Sequence, residues 1–113
     1  MMKITINRDR LTLSELRNAW LKPIEVNIAD AARERIETSS LKISEVLDSG
    51  DQVYGVNTGF GLLANVRVSG DELDQLQVNI IRSHAVGLGK NLSDNIVRLV
   101  ILMKIKALAE GYS

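Results

Sequence analysis

The sequence predicts a mainly α-helical fold with a small β element near its amino terminus, an α+β class. Three observations carry this. Two short segments, residues 3–6 and 24–28, alternate apolar and polar side chains with the period of a strand. Four longer stretches, near 13–20, 31–48, 71–86 and 94–110, return apolar residues at helical spacing. Between the second and third of these lies a glycine-rich stretch, roughly 52–68, that fits neither pattern.

Composition narrows the class of protein. A chain of 113 residues is long enough for one small domain and one core. Its 14 basic and 14 acidic residues cancel, with no basic stripe for nucleic acid and no acidic tail. With no cysteine and a single histidine, disulfides and thiolate metal sites are excluded, and no carboxylate cluster suggests a metal. The start lacks an apolar run of signal-peptide length, and the longest such run, 99–103, is too short for a bilayer. A cytoplasmic protein without membrane or nucleic-acid partners is the expectation.

The elements follow in order. Lys3-Ile4-Thr5-Ile6 reads as the first strand. Thr12-Leu13-Ser14-Glu15 has the form of a capping box, and the helix it opens must stop before Pro23. Ile24-Glu25-Val26-Asn27-Ile28 reads as the second strand, and strands this short need a neighbour, each other or a larger protein. Asp30 is placed as N-cap of the 31–48 helix, with Ala32, Ile36, Ile43 and Leu47 near one face and Gly50 as its C-terminal cap. Asp71 and Glu72 open the third helix, where carboxylates favour the positive dipole end. Leu73, Leu76, Ile80 and His84 share one stripe, because eleven residues at about 100° each bring His84 back over Leu73. Gly87 and Gly89 are expected to end it. Ser93 caps the last helix, which is apolar around most of its circumference between 96 and 109. Such a helix wants a larger core or a partner.

The chemistry-bearing candidates are few. Tyr-Gly-Val-Asn-Thr-Gly-Phe-Gly, residues 54–61, holds three glycines around a tyrosine, an asparagine and a threonine. Glycine lets the backbone take positive φ and approach another group closely. Tyr54 is the only residue of the stretch that can move a proton, although a phenol needs environmental help to act as a base at neutral pH. The alternative is a plain connector with Tyr54 packed as a hydrophobe. His84 is the only imidazole, and on an apolar stripe it reads as a satisfied core residue as readily as a site. Gly87-Leu88-Gly89-Lys90-Asn91 fails as a phosphate loop: His84 stands where the first glycine belongs, Asn91 where Ser or Thr belongs, and a helix rather than a strand precedes it. Gly55, Gly59 and Gly61 lack the spacing of a dinucleotide fingerprint.

The stretch at 54–61, together with Ser83-His84-Ala85-Val86-Gly87-Leu88-Gly89 and with Lys106-Ala107-Leu108-Ala109-Glu110-Gly111-Tyr112-Ser113, resembles the amino-terminal part of the histidine ammonia-lyases, within the aromatic amino-acid ammonia-lyase family. The resemblance covers nearly the whole chain but only about the first fifth of such an enzyme. It implies that residues 1–113 are the amino-terminal domain of the multi-helical lyase fold, cut before the central helical core. It implies non-oxidative deamination of L-histidine to urocanate and ammonia in histidine degradation, by a homotetramer. The implied cofactor is a methylidene-imidazolone cyclised from an Ala-Ser-Gly that this chain lacks. Val68-Ser69-Gly70 is similar to that triplet, but lies ahead of the Gly-Tyr-Ser segment, where it reads as a turn and helix cap.

Residue by residue, Tyr54 matches the tyrosine given base or proton-transfer work. Gly55, Asn57, Gly59 and Gly61 match a lid that closes over the electrophile, with Gly61 allowing close backbone approach. Ser83-His84 matches the pair that sets substrate choice, and Ser-His is the histidine-lyase pattern. Val86, Leu88 and Lys90-Asn91 depart mildly from the family. The chain alone is expected to be inactive, and the 54–67 loop to be poorly ordered or displaced without its docking surface. Self-association through the apolar 96–109 helix is a further expectation. The alternatives are a non-catalytic binding or assembly module derived from the lyase amino terminus, and a related tyrosine or phenylalanine ammonia-lyase or aminomutase.

Overall fold

A computed structural model describes residues 1–112, with the side chain of Asp71 set aside. Two strands, β1 (Met2–Ile6) and β2 (Ile24–Ile28), and four α-helices follow one another: α1 (Leu13–Leu21), α2 (Asp30–Ser49), α3 (Gly70–His84) and α4 (Asp94–Leu108). The chain divides into two compact units: Met1–Ser40 with Lys90–Ser113, and Leu41–Gly89.

The first unit is built on a βαβ crossover. β1 and β2 pair in parallel, from Met2 opposite Ile24 to Ile6 opposite Ile28, with α1 as the connection that parallel strands require. The two strands expected from alternation therefore pair with each other. Ile4 and Ile6 point inward and are 1% exposed, whereas Lys3 and Thr5 point to solvent. Burying each isoleucine is worth roughly 1.5–3 kcal/mol. They meet Ala19 of α1, Ala32 of α2, Leu102 of α4 and Ala109, with Leu16, Val26, Leu99 and Ile105 around them. The core is aliphatic, as four aromatic residues in the chain require.

Helix ends show why these segments stop where they do. The capping box at Thr12 forms: the Glu15 amide donates to Thr12 Oγ1 at 3.2 Å, and the Thr12 amide donates to Glu15 Oε2 at 2.8 Å. The Thr12 backbone N–H, followed by its hydroxyl, holds the Glu15 carboxyl below the usual carboxylate range. At the other end α1 has no basic residue in its last turn. Arg98 of α4 supplies one instead, donating from Nη1 to the carbonyl oxygens of Ala19 at 2.7 Å and Trp20 at 3.3 Å. Asp30 is the first residue of α2 rather than its cap, because the Ala29 carbonyl already accepts from the amides of Ala32 and Arg33. α3 ends at His84 with Ala85 as its cap, ahead of the glycines at 87 and 89 expected to stop it.

The last helix is apolar around most of its circumference but only partly covered. Leu102 is buried and Leu99 and Ile105 are half-buried. Val97, Val100, Ile101 and Met103 remain 39–59% exposed. Among the described residues, no helix is long and apolar enough to cross a membrane.

Candidate functional site

The second unit carries every residue singled out for chemistry. It comprises the end of α2, the glycine-rich loop and α3. The loop is stapled from within. Asn57 is 3% exposed and bonds twice: its Oδ1 accepts from the Val53 amide at 2.9 Å, and its Nδ2 donates to the Asp51 carbonyl at 2.8 Å. Thr58, 1% exposed, forms an antiparallel bridge with Arg67, and the amides of Gly59 and Val68 donate to the carbonyls of Val66 and Asn57. Residues 61–63 add a turn of 3₁₀ helix. The loop closes on itself, and its buried polar groups, Asn57 and Thr58, find partners inside it.

Gly59 is the glycine this closure depends on. A Cβ there would stand 2.6 Å from the Leu63 carbonyl oxygen and 2.7 Å from its Cβ. Gly61 has open space around it in this chain and takes a positive φ of 57°. Asn57, grouped with the glycines as a lid residue, staples the loop from within.

The staple leaves Tyr54 outside. Its side chain is exposed and its ring meets Phe60 edge-on, with centroids 5.5 Å apart and planes at 65°. Tyr54 is not buried as a packed hydrophobe in this chain. Among the described residues the phenol oxygen has no hydrogen-bond partner, so it is free to meet another molecule.

α3 presents the stripe its spacing predicts. Leu73, Leu76 and Ile80 are half-buried, and the other described positions of the helix are exposed. His84 closes the stripe at its exposed end and is not a core residue. Its Nδ1 lies 2.8 Å from the carbonyl oxygen of Ile80 and 3.1 Å from Ser83 Oγ. The Ser83 hydroxyl itself donates to the Ile80 carbonyl at 3.0 Å. A carbonyl oxygen only accepts, so the proton of the neutral ring sits on Nδ1 and the lone pair on Nε2.

A cavity of about 290 Å³ joins these parts. Gly59, Phe60 and Leu63 line it from the loop, and Leu76, Ile80, Ser83 and His84 line it from α3. It is small, mostly apolar, and carries a few polar groups, the usual make-up of a small-molecule site. Of the residues expected to act together, it gathers Ser83, His84 and Gly59; Tyr54 does not line it but meets the Phe60 ring that does. One further polar residue lines it that the sequence reading passed over. Asn79 lies four positions before Ser83, so the helical spacing that placed His84 would also have found it. Among the described residues there is no group of three or more His, Cys, Asp or Glu side chains able to hold a metal.

Comparison with known proteins decides the family. A family model described as aromatic amino acid lyase matches residues 11–113. The chain belongs to the aromatic amino acid lyase family. Histidine ammonia-lyase from Desulfotalea psychrophila is 44% identical over 111 residues, 98% of this chain and 22% of that protein. The enzyme of the same name from Photorhabdus laumondii subsp. laumondii is 42% identical over 113 residues, all of this chain and 22% of that protein. The crystal structure of histidine ammonia-lyase from Trypanosoma cruzi superposes with a TM-score of 0.82 at 28% identity, covering 97% of this chain and 21% of that one. This lyase-family chain thus spans about a fifth of the length of the relatives it matches.

Proposed function

We propose that this chain is the amino-terminal part of a histidine ammonia-lyase, which converts L-histidine to urocanate and ammonia without oxidation. The observation that carries the reading is the Ser83-His84 pair: it lines a cavity shared with the glycine-rich loop and presents Nε2 of His84 as an acceptor. A substrate with an imidazole N–H has a partner there, and a phenyl ring leaves that acceptor unpaired. The names of the relatives at 42–44% identity support the same substrate.

In this reading Tyr54 takes or relays the proton removed from the carbon β to the substrate carboxylate, and ammonia leaves. Ser83 and His84 hold the ring. Gly55, Gly59 and Gly61 let the loop turn tightly enough to bring Tyr54 and Phe60 over the cavity and exclude water. The methylidene-imidazolone associated with the family forms from Ala-Ser-Gly, and this sequence contains no such triplet. Val68-Ser69-Gly70 does not fit the group: Ser69 is the N-cap of α3, its hydroxyl is bonded to Glu72 Oε2 at 3.1 Å, and Gly70 is the first helical residue. The electrophile would therefore come from residues outside this chain. The intact enzyme would be a cytoplasmic homotetramer in histidine catabolism, with residues 1–113 as a domain ahead of the electrophile-forming triplet and the central helices.

The test is the full-length protein that carries this chain, assayed with L-histidine for urocanate and ammonia together. Equimolar release of both supports the reading, and ammonia from phenylalanine or tyrosine but not histidine refutes it. Purified residues 1–113 alone should release neither product.

A further inference from the structure

The cavity beside His84 holds a second polar side chain with capacity to spare. Asn79 lines it one helical turn before Ser83. Its Oδ1 accepts from Gln75 Nε2 at 2.8 Å, four residues earlier on the exposed side of α3. Its side chain has no other hydrogen-bond partner among the described residues. An asparagine amide carries two N–H donors, and a Gln–Asn pair consumes at most one of them whichever way the two amides are turned. At least one N–H of Asn79, a residue that lines this cavity, is therefore without a partner among the described residues.

The two polar groups differ in sense. His84 offers an acceptor at Nε2, because its Nδ1–H is committed to the Ile80 carbonyl. Asn79 offers a donor. A neutral imidazole carries one N–H donor and one lone-pair acceptor on the same ring. A phenyl ring carries neither, and would give neither group a partner in a cavity whose other walls include Phe60, Leu63, Leu76 and Ile80. Resting on the histidine-lyase reading above, we infer that Asn79 is a further substrate-binding residue: its amide donates to the unprotonated ring nitrogen while His84 Nε2 accepts from the protonated one. Gln75 is a positioning residue that fixes the Asn79 rotamer.

The test uses the full-length protein and two probes that differ only in the ring, 3-(imidazol-4-yl)propanoate and 3-phenylpropanoate, with dissociation constants from calorimetry. Two variants are compared with wild type. Asn79→Asp keeps an acceptor for Gln75 but has no N–H when ionised; Asn79→Leu removes both functions at similar volume. Wild type should prefer the imidazole probe. Each variant should weaken the imidazole probe roughly 10–100-fold and leave the phenyl probe within about threefold. Equal loss for both probes would make Asn79 a structural residue and overturn the inference. Unchanged binding of the imidazole probe in both variants would overturn it too. A wild-type protein that prefers the imidazole probe but releases no ammonia from histidine would defeat the histidine-lyase reading alone, and the variants would still decide the role of Asn79.

Discussion

His84 Nδ1 lies 2.8 Å from the carbonyl oxygen of Ile80, one turn back along α3. That contact makes the only histidine of the chain a directed acceptor. In the full-length protein, His84→Leu should raise KM for L-histidine by roughly 10–1,000-fold, since an unpaired substrate N–H in an apolar site is costly. Steady-state kinetics checks this, and a fall in kcat with KM unchanged would place His84 in the chemical step instead.

Tyr54 should behave oppositely. Its ring contact with Phe60 survives removal of the hydroxyl, so Tyr54→Phe keeps the loop and loses only the proton-transfer group. We expect kcat in the full-length protein to fall by about 100-fold or more, with KM little changed. Activity within a fewfold of wild type would remove Tyr54 from the chemistry.

Asn57 tests whether the loop is organised from inside. Asn57→Ala removes two hydrogen bonds, each worth about 1 kcal/mol, and leaves the Val53 amide and the Asp51 carbonyl without their side-chain partner. Hydrogen exchange at the Val53 amide should accelerate by one to two orders of magnitude, a change of about 1–3 kcal/mol in local opening. Unchanged protection would mean that something else holds the loop.

The capping box predicts an acid limb of stability. The Glu15 carboxyl sits below its ordinary range in the folded chain, chiefly because it accepts the Thr12 amide. A lowered folded-state pKa contributes stability that is fully present above the unfolded value and is lost as pH falls through the folded one. Wild type should therefore exceed Glu15→Gln by a margin that vanishes at acid pH. Glu15 is close to fully solvent-screened, so the margin is under about 1 kcal/mol. Denaturant titrations at neutral and acid pH, followed by fluorescence of Trp20, the single tryptophan at the far end of the same helix, would measure it.

These residues also show what could be read from the chain and what could not. The stripe Leu73, Leu76, Ile80, His84 and the box Thr12–Glu15 depend on spacing alone, and both stand as the periodicity placed them. The strands at 3–6 and 24–28 were legible from alternation, but their parallel pairing was not, because register depends on how the α1 crossover returns the chain to the sheet. Tertiary contacts account for the rest. Arg98 reaches the end of α1 from 79 residues away in sequence, a distance no local pattern reports. The bonds of Asn57 were not legible either, since one asparagine among glycines gives no sign of the two backbone groups it will satisfy. Asn79 is an exposed amide beside the apolar stripe, and its place at a cavity depends on the loop residues Phe60 and Leu63 that form the other wall.

The exposed apolar face of α4 fits a chain that makes up a fifth of its relatives' length, and it bears on purified residues 1–113. With Val97, Val100, Ile101 and Met103 uncovered, that fragment should self-associate as concentration rises. Analytical ultracentrifugation of wild type against Val100→Lys with Ile101→Glu should show association lost in the double variant. A wild-type fragment that stays monomeric across the concentration range would contradict it.

The most direct test of the central claim is the initial rate of ammonia release by the full-length protein from L-histidine, L-phenylalanine and L-tyrosine under the same conditions. The account predicts release from L-histidine with urocanate as co-product, and rates from the other two lower by orders of magnitude. Release from phenylalanine or tyrosine with histidine inert would contradict it.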